Sequence, residues 1–310
     1  MKYRKYFIFA IIIALILPWI PINSANYITR VATLTILYMV LAMGLNIIVG
    51  FAGLLDLGYV GFYGIGAYVA GLLSIHYGLP FYILLPLSLC AGAISGVVLG
   101  APTLKLTGDY FAIVTFGFAE LVILVVRNEI WLTRGPMGIA GIPPITIFGH
   151  TFTKGYEYYY LMLAIFLIVF TVIKRLEHSK IGRAWFAIRE DEIAARCCGI
   201  NVVRYKVLAF AISASIGAVG GCFFAKWFSF IHPDMFKFWE SILILCLIVF
   251  GGMGNVYGVL LGTLVLIPIT EVLRNVLPQQ LVEARYLIFG VLLVVMMRFR
   301  PNGLIPFSKR

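Results

Sequence analysis

The sequence predicts an all-α fold, a polytopic helical membrane protein of about ten transmembrane helices with cytoplasmic N- and C-termini. Of the 310 residues, 62% are hydrophobic and only 12% are charged, with a mean hydropathy of +1.01. A soluble domain would carry about 25% charged residues. Apolar runs of about 20 residues, long enough to cross a bilayer as helices, recur from end to end. These runs do not alternate apolar and polar residues, which excludes a transmembrane barrel.

Ten apolar windows predict the individual spans. They fall at residues 6–22, 31–50, 58–75, 81–102, 110–127, 157–173, 207–230, 240–252, 256–272 and 285–298. The first follows a basic start and resembles a signal peptide, but no small-x-small cleavage site follows, so we predict a retained span. The 58–75 window is rich in glycine. The 240–272 region has an alternative, one span plus a re-entrant half-helix.

The distribution of basic residues predicts the orientation. The formal net charge is +11, and the basic residues flank the apolar windows, so membrane topology explains them better than nucleic-acid binding. With a cytoplasmic N-terminus, 16 of the 24 lysines and arginines fall on the inner side and 8 on the outer side. This bias predicts cytoplasmic termini and places the charged residues 182–199 in the cytoplasm.

That charged stretch, GRAWFAIREDEIAARCCG, contains three arginines, two glutamates and an aspartate in an otherwise apolar chain. We predict two short helices, with Asp191 capping the N-terminus of the second and Gly199 just past its C-terminus. About eight residues between them would form roughly 12 Å of helix. Ala194 and Ala195 would offer a smooth surface, ringed by the charges of Arg189, Glu190, Asp191, Glu192 and Arg196.

Two interpretations of the stretch remain open from the residues alone. An amphipathic helix on the inner leaflet usually carries a mainly basic polar face. The three consecutive acids Glu190, Asp191 and Glu192 would be repelled by anionic lipid. The composition of the stretch therefore favours contact with another protein.

The longest predicted outer loop, roughly residues 128–156, is rich in glycine and proline, which argues against a long helix. It is either a docking surface for an external partner or a plain connection.

Two glycine clusters lie beside polar residues within the apolar windows. Glycines at three- or four-residue spacing let helix backbones touch in lipid, or they break a helix whose free backbone groups line a pathway. Glu120 lies deep in its window, where an ionisable group is costly. We predict a translocation pathway or inter-subunit seam formed by Asn46, Gly50, Gly53, Asp56, Gly58, Glu120, Gly251, Gly252 and Gly254.

Other residue types predict no chemistry. The five cysteines lack C-x-x-C spacing and the four histidines are scattered at window edges, so we expect no metal site. Asp109 is a candidate cap for the fifth span. No paired aspartates, H-E-x-x-H or Ser–His arrangement lies within the windows, which argues against a membrane hydrolase.

The charged stretch partly resembles the cytoplasmic E-A-A-x-x-x-G segment with which ABC importer permeases dock into their ATPases. Ala194, Ala195 and Gly199 match, whereas Ile193 replaces the usual Glu, Glu192 lies one position earlier, and the following L-P is absent. A closer resemblance, to LivM-type permease subunits of branched-chain amino acid ABC importers, covers nearly the whole chain. Six segments carry it in order, at residues 50–73, 104–122, 133–143, 182–214, 248–262 and 298–306.

The resemblance implies a single transmembrane permease domain, residues 1–310, in the inner (plasma) membrane, with a coupling segment at 174–206. It implies a homologous LivH-type permease, two ABC ATPase subunits and an extracytoplasmic amino-acid-binding protein as partners. It assigns ATPase coupling to Arg189, Glu190, Asp191, Glu192, Ala194, Ala195 and Gly199. The sequence contains no G-x-x-x-x-G-K-[ST] phosphate loop, so ATP and Mg²⁺ are expected on the partner ATPases and no cofactor on this chain.

Two other functions remain as alternatives. Permeases for urea, short amides or other amino acids are similar, and cargo selection rests largely with the binding protein. An ion-coupled secondary transporter is the second alternative. Such proteins place several ionisable groups near the membrane midplane, and only Glu120 clearly meets that description here.

Overall fold

The computed structural model describes residues 25–103, 109–147, 149–276, 290–291, 294–295, 298–299 and 303–305. Within these residues the chain is almost entirely helical. The helices are α1 (Ala25–Asn46), α2 (Tyr59–Tyr77), α3 (Phe81–Thr103), α4 (Asp109–Asn128), α5 (Ile130–Thr133), α6 (Gly155–His178), α7 (Lys180–Glu190), α8 (Glu192–Cys197), α9 (Val202–Phe228), α10 (Phe238–Gly251) and α11 (Val256–Val276). A π-helical segment, Ile47–Phe51, continues α1, and 3₁₀ turns form at Gly135–Met137 and Pro233–Phe236.

Seven helices among the described residues are long and apolar enough to cross a membrane, as expected for a multi-pass membrane protein. They are Tyr27–Phe51, Tyr59–Tyr77, Phe81–Pro102, Tyr110–Asn128, Gly155–His178, Val202–Phe228 and Val256–Arg274. Each corresponds to one predicted window. The predicted first span, 6–22, lies outside the described residues, and the last, 285–298, lies largely outside them. The count of ten and the cytoplasmic termini therefore stay predictions.

The predicted window 240–252 does not form a full span. Its helix, α10, has 14 residues, or about 21 Å at 1.5 Å per residue, which is short of a hydrocarbon core of about 30 Å. The helix stops because Gly252 and Gly254 adopt φ values of +119° and +87°, a backbone region that favours glycine. Asn255 then starts α11, since its Oδ1 accepts from the backbone N–H of Tyr257 at 3.1 Å. The alternative of a half-helix followed by a span fits this geometry.

Helix α9 is the centre of the bundle and packs against α1, α2 and α3. Small residues allow this close approach. A Cβ on Gly66 of α2 would overlap the backbone of Ala218, and one on Gly221 would lie 2.6 Å from the backbone nitrogen of Ala67. The glycine-rich 58–75 window is therefore a packing surface of α2 against α9, where a larger residue would force the helices apart.

The bundle has two distinct ends. At one, which we call the charged end, α7 and α8 pack against the end of α1 and the start of α9. At the other, the loop end, the segment 129–154 connects α4 to α6. It contains the four-residue helix α5 and strands β1 (Ile139–Ala140), β2 (Thr146–Ile147) and β3 (His150–Thr151), and β4 (Phe230–Ile231) follows α9. Strand β1 pairs antiparallel with β4, and β2 with β3.

A buried lysine fastens the loop end to the bundle. Lys226, near the end of α9, is 1% exposed. Its Nζ donates to Ser74 Oγ at 2.5 Å and to the carbonyl of Pro143 at 3.1 Å. A separate ion pair at 2.7 Å joins Arg127 of α4 to Asp234 of the turn that follows β4. Lys226 consequently holds the loop to α2 and α9.

Candidate functional site

The charged segment folds into the two short helices that its capping residues predict. Ser179 starts α7, because its hydroxyl accepts from the backbone N–H groups of Ile181 and Gly182. Asp191 has an extended backbone between the helices, and its Oδ1 accepts from Ile193 N–H at 2.8 Å and Ala194 N–H at 3.0 Å. Gly199, at φ +82°, follows the C-terminal cap of α8. Helix α8 has six residues, so it is slightly shorter than predicted.

Helix α7 is anchored both on α9 and on the end of α1. The Trp185 side chain is fully buried, and its Nε1 donates to the carbonyl of Tyr205 at 2.7 Å. The rings of Phe186 and Phe51 meet edge to face with centroids 5.1 Å apart. The Arg189 guanidinium donates to the carbonyl of Gly50 in the π-helical segment. Two predicted groups of residues, the coupling segment and the glycine-rich segment, thus touch directly through Arg189.

Gly53 shows how close this contact is. Its φ is +72°, and a Cβ there would lie 2.7 Å from Cγ of Arg189. Both the backbone conformation and the space therefore require glycine at this position. The sequence predicted Gly53 as part of the pathway or seam, and the structure places it against the coupling segment.

Helix α8 is tied to α9 through a mostly buried ion pair. Glu192 Oε2 accepts from Lys206 Nζ at 2.6 Å, and its Oε1 accepts from Arg196 at 2.5 Å. The Lys206 side chain is 3% exposed, so the pair is shielded from water on the lysine side. Burial alone would raise the pKa of the Glu192 carboxyl, but the hydrogen bonds and charges of Lys206 and Arg196 outweigh it and hold that pKa below its usual value.

The free face of α8 differs from the predicted one. Ala195 is 4% exposed and packs with Ile188 and Val202 in a small core, so the prediction that it forms part of an open surface is wrong. Successive residues of a helix point in different directions, and Ala195 points inward, toward the apolar side chains of Ile188 and Val202. The exposed face consists of Ile193, at 73%, with Ala194 beside it. Glu190, Asp191 and Arg196 are exposed around this face.

A second contact joins α1 to the break between α10 and α11. Asn46 is fully buried, and its Oδ1 accepts from the backbone N–H of Gly254 at 3.0 Å. A Cβ on Gly50 would lie 2.6 Å from that same nitrogen. The backbone N–H groups of Leu304 and Ile305 donate to carbonyls at the end of α10. Asn46, Gly50 and Gly254 therefore form one seam within this chain. Their predicted role in a translocation pathway or an inter-subunit seam stays a prediction. Gly251 and Gly252 border this seam. A Cβ on Gly251 would overlap the backbone of Gly258.

Asp56 organises the loop between α1 and α2. It is fully buried, and its Oδ1 accepts from the backbone N–H of Gly58 at 2.8 Å. Thr115 of α4 accepts from Leu57 N–H at 3.1 Å, so the loop is held against the middle of the bundle. A Cβ on Gly58 would overlap the Thr115 carbonyl. Asp56 and Gly58 thus fix the loop, a structural role beside the seam.

Glu120 is separate from these contacts. It is exposed on α4, beside Leu121 at 60% and Leu124 at 51% exposure. The structure does not bring Glu120 to the glycine seam.

Two residues that fix the charged segment to α9, Lys206 and Trp185, were not predicted from the sequence. Little in the sequence indicated Lys206, because it lies one residue before the predicted 207–230 window, where a lysine is an ordinary flanking charge.

A bundle of apolar spans with a capped, anchored helical segment at one end defines the class of multi-pass helical membrane proteins. The chain belongs to the family described as branched-chain amino acid transport system / permease component, whose model matches residues 27–297.

Individual relatives agree with this family. The chain is 39% identical over 329 residues to the high-affinity branched-chain amino acid transport system permease protein LivM of Salmonella typhimurium (strain LT2), which covers 99% of this chain and 76% of that protein. LivM of Escherichia coli (strain K12) gives the same figures. LivH of Escherichia coli (strain K12) is 23% identical over 289 residues, 88% of this chain and 92% of that protein. No solved structure matches the chain. The resemblance to LivM-type permeases is confirmed.

Proposed function

We propose that this chain is the transmembrane permease subunit of an ABC importer that carries branched-chain amino acids across the inner membrane. Family membership gives the transport role. The observation that carries the mechanism is the double anchorage of the charged segment, by Arg189 to α1 and by Glu192 to α9. A segment fixed in this way transmits a displacement imposed from outside the bundle directly to two spans.

The remaining subunits follow from the same proposal. A second, LivH-type permease completes the pathway, and the likeness between this chain and LivH supports a pair of homologous permeases. Two ABC ATPases bind ATP and Mg²⁺, and one of them contacts Ile193 and Ala194 on the free face of α8. An extracytoplasmic binding protein delivers the amino acid at the loop end. In this arrangement the termini and the charged end face the cytoplasm, and this chain itself catalyses no reaction.

The coupling mechanism follows from the contacts. Closure of the ATPases displaces α8, and the pair between Glu192 and Lys206 transfers that displacement to the start of α9. Helix α7 moves with α8 because only Asp191 separates them, and Arg189 then acts on the π-helical end of α1. Packed helices shift as rigid bodies, so movement at the charged end reaches the loop end of both spans.

Crosslinking tests the orientation and the ATPase contact together. Cys90, Cys197 and Cys198 are exposed, so they are first replaced by serine. In this background, Ala194→Cys in the complete transporter should crosslink to the ATPase through a short bifunctional reagent. Tyr77→Cys is the matched control, because Tyr77 is 74% exposed at the loop end. Absence of a crosslink from position 194, or an equal yield from position 77, would contradict the proposed coupling.

Uptake into proteoliposomes tests the cargo and the energy source. Leucine uptake by the complete transporter should require internal ATP, should be reduced by excess valine and should be unaffected by excess urea. Collapse of ion gradients should leave the rate unchanged. Competition by urea would point to an amide permease, and loss of uptake with the ion gradient would point to a secondary transporter.

A further inference from the structure

A large cavity opens at the loop end of the bundle, between α1, α9, α10 and α11. Its volume is about 530 Å³, within the range of about 300–1,000 Å³ that is usual for small-molecule sites. It is bordered by the start of α1 and the ends of α9 and α11, with Tyr38 and Tyr63 among its lining residues. None of the residues that the sequence predicted for the pathway or seam lines it.

The cavity carries charges of both signs on its wall. The described lining includes two arginines and two glutamates, namely Arg30, Arg274, Glu240 and Glu271. The Tyr38 hydroxyl donates to Glu240 Oε2 at 2.7 Å, which orients that carboxylate. Arg274 and Glu271 lie 3.9 Å apart. A wall with balanced charge suits a ligand that has both an anionic and a cationic group and no net charge.

Aromatic and aliphatic side chains complete the lining. The Arg30 guanidinium lies 5.8 Å from the ring centroid of Phe228, and Trp227 and Phe224 lie on the same side of the cavity, on α9. Leu34 and Leu243 line it from α1 and α10. These groups provide an apolar surface beside the charged one. A small polar molecule such as urea would not cover this apolar surface.

From this juxtaposition we infer that the cavity is a binding site for a zwitterionic α-amino acid with an aliphatic side chain. The ligand's carboxylate binds at Arg30 and its ammonium group at Glu240, while its side chain packs on Trp227 and Leu243. This inference rests on the proposed function and deepens it, since it gives the permease itself a selective site. The binding protein is then not the sole determinant of cargo.

The position of the cavity links it to the coupling segment. Helices α1 and α9 line it at the loop end, and the same two helices are held by Arg189 and Glu192 at the charged end. A displacement of α8 therefore changes the separation of the walls that carry Arg30 and Trp227. The site would take its ligand in one arrangement of the helices and release it in another.

A photoreactive leucine locates the site directly. The complete transporter in proteoliposomes is supplied with photo-leucine, which carries a diazirine on its side chain, and is irradiated during ATP-driven uptake. Mass spectrometry of this chain should find adducts on peptides that contain Leu34, Trp227 or Leu243. Excess leucine should suppress the adducts, whereas 4-methylpentanoate, which lacks the ammonium group, should not.

Variants test the roles of the charged groups. Arg30→Gln and Glu240→Gln should each lower adduct yield at least about tenfold, the loss expected for one hydrogen bond to a charged group. Glu129→Gln and Lys237→Gln are matched controls, because both residues lie at the loop end outside the cavity lining, and their yields should equal that of the unaltered chain. Suppression of the unaltered chain's adducts by 4-methylpentanoate would contradict the role of Glu240.

The two proposals fail in different ways. If leucine uptake by the unaltered transporter does not require ATP, the proposed function is wrong. If ATP-driven uptake is normal but the adducts lie only on other parts of this chain or on the second permease, the cavity is not the amino-acid site. That second result would leave the importer function intact.

Discussion

Gly50 shows how a single missing side chain can hold two distant segments together. Its carbonyl accepts from Arg189, and its Cα faces the backbone nitrogen of Gly254, which in turn donates to Asn46. The position thus joins the coupling segment, the end of α1 and the break after α10. Any side chain at this position would separate those three segments.

We predict that Gly50→Ala destabilises the protein by about 1–3 kcal/mol, the usual cost of forcing an extra methyl into a packed site. The added Cβ would overlap Asn46 Oδ1 and lie 2.6 Å from Gly254 N. Gly117→Ala in α4 is the matched control, since a Cβ there meets nothing within 4 Å. It should be neutral or stabilising, because alanine favours helix. Equal thermal unfolding midpoints for the two purified variants would contradict the prediction.

At the scale of the element, α8 is held to α9 by one ion pair, between Glu192 and Lys206, and by the packing of Ala195 near Val202. Glu192 retains Arg196 as a partner when Lys206 is removed, so the helix itself should persist. What is lost is the ion pair between the helix and the span, whereas the apolar cluster of Ala195 and Val202 remains. Because Lys206 is almost wholly buried, methionine is a suitable replacement that keeps the length and apolar character of the stem.

We predict that Lys206→Met lowers ATP-driven leucine uptake by about tenfold, consistent with loss of one charge-assisted contact, while the ATPases still bind and hydrolyse ATP. Arg204→Met is the control, because Arg204 is exposed two residues earlier and its removal should leave uptake unchanged. Adding Glu192→Gln to Lys206→Met should cause little further loss, since both remove the same contact. Normal uptake by Lys206→Met would refute the coupling role of the pair.

The sequence predicted elements better than it predicted contacts. Span positions depend on local hydropathy, and the ends of α8 depend on Asp191 and Gly199, so both could be found from short windows. The window 240–252 matched the extent of α10, Phe238–Gly251, but the count of ten treated it as a full span and kept the half-helix only as the alternative. The inward turn of Ala195 and the cavity between four helices arise from packing between distant segments, which no local pattern encodes.

For the whole molecule, the apolar outer face of α4 is the surface on which we expect the proposed second permease to pack. Ile113 and Val125 are 63% and 58% exposed, and Glu120 lies among such residues. A carboxylate facing lipid would be costly, whereas a partner helix could supply a hydrogen-bond donor. Both roles predicted for Glu120 stay predictions, and its exposed position on α4, outside the cavity lining, favours the inter-subunit seam.

We predict that Glu120→Lys sharply reduces recovery of the second permease when the tagged chain is purified, because a donor in the partner would then face a cation. Glu120→Gln should preserve recovery, since the amide oxygen still accepts a hydrogen bond. Ile94→Lys controls for the general cost of a charge on an outer face, because Ile94 is 64% exposed on α3. Recovery of the second permease by Glu120→Lys equal to that by Ile94→Lys would mean that α4 faces lipid and that the carboxylate reaches the membrane surface instead.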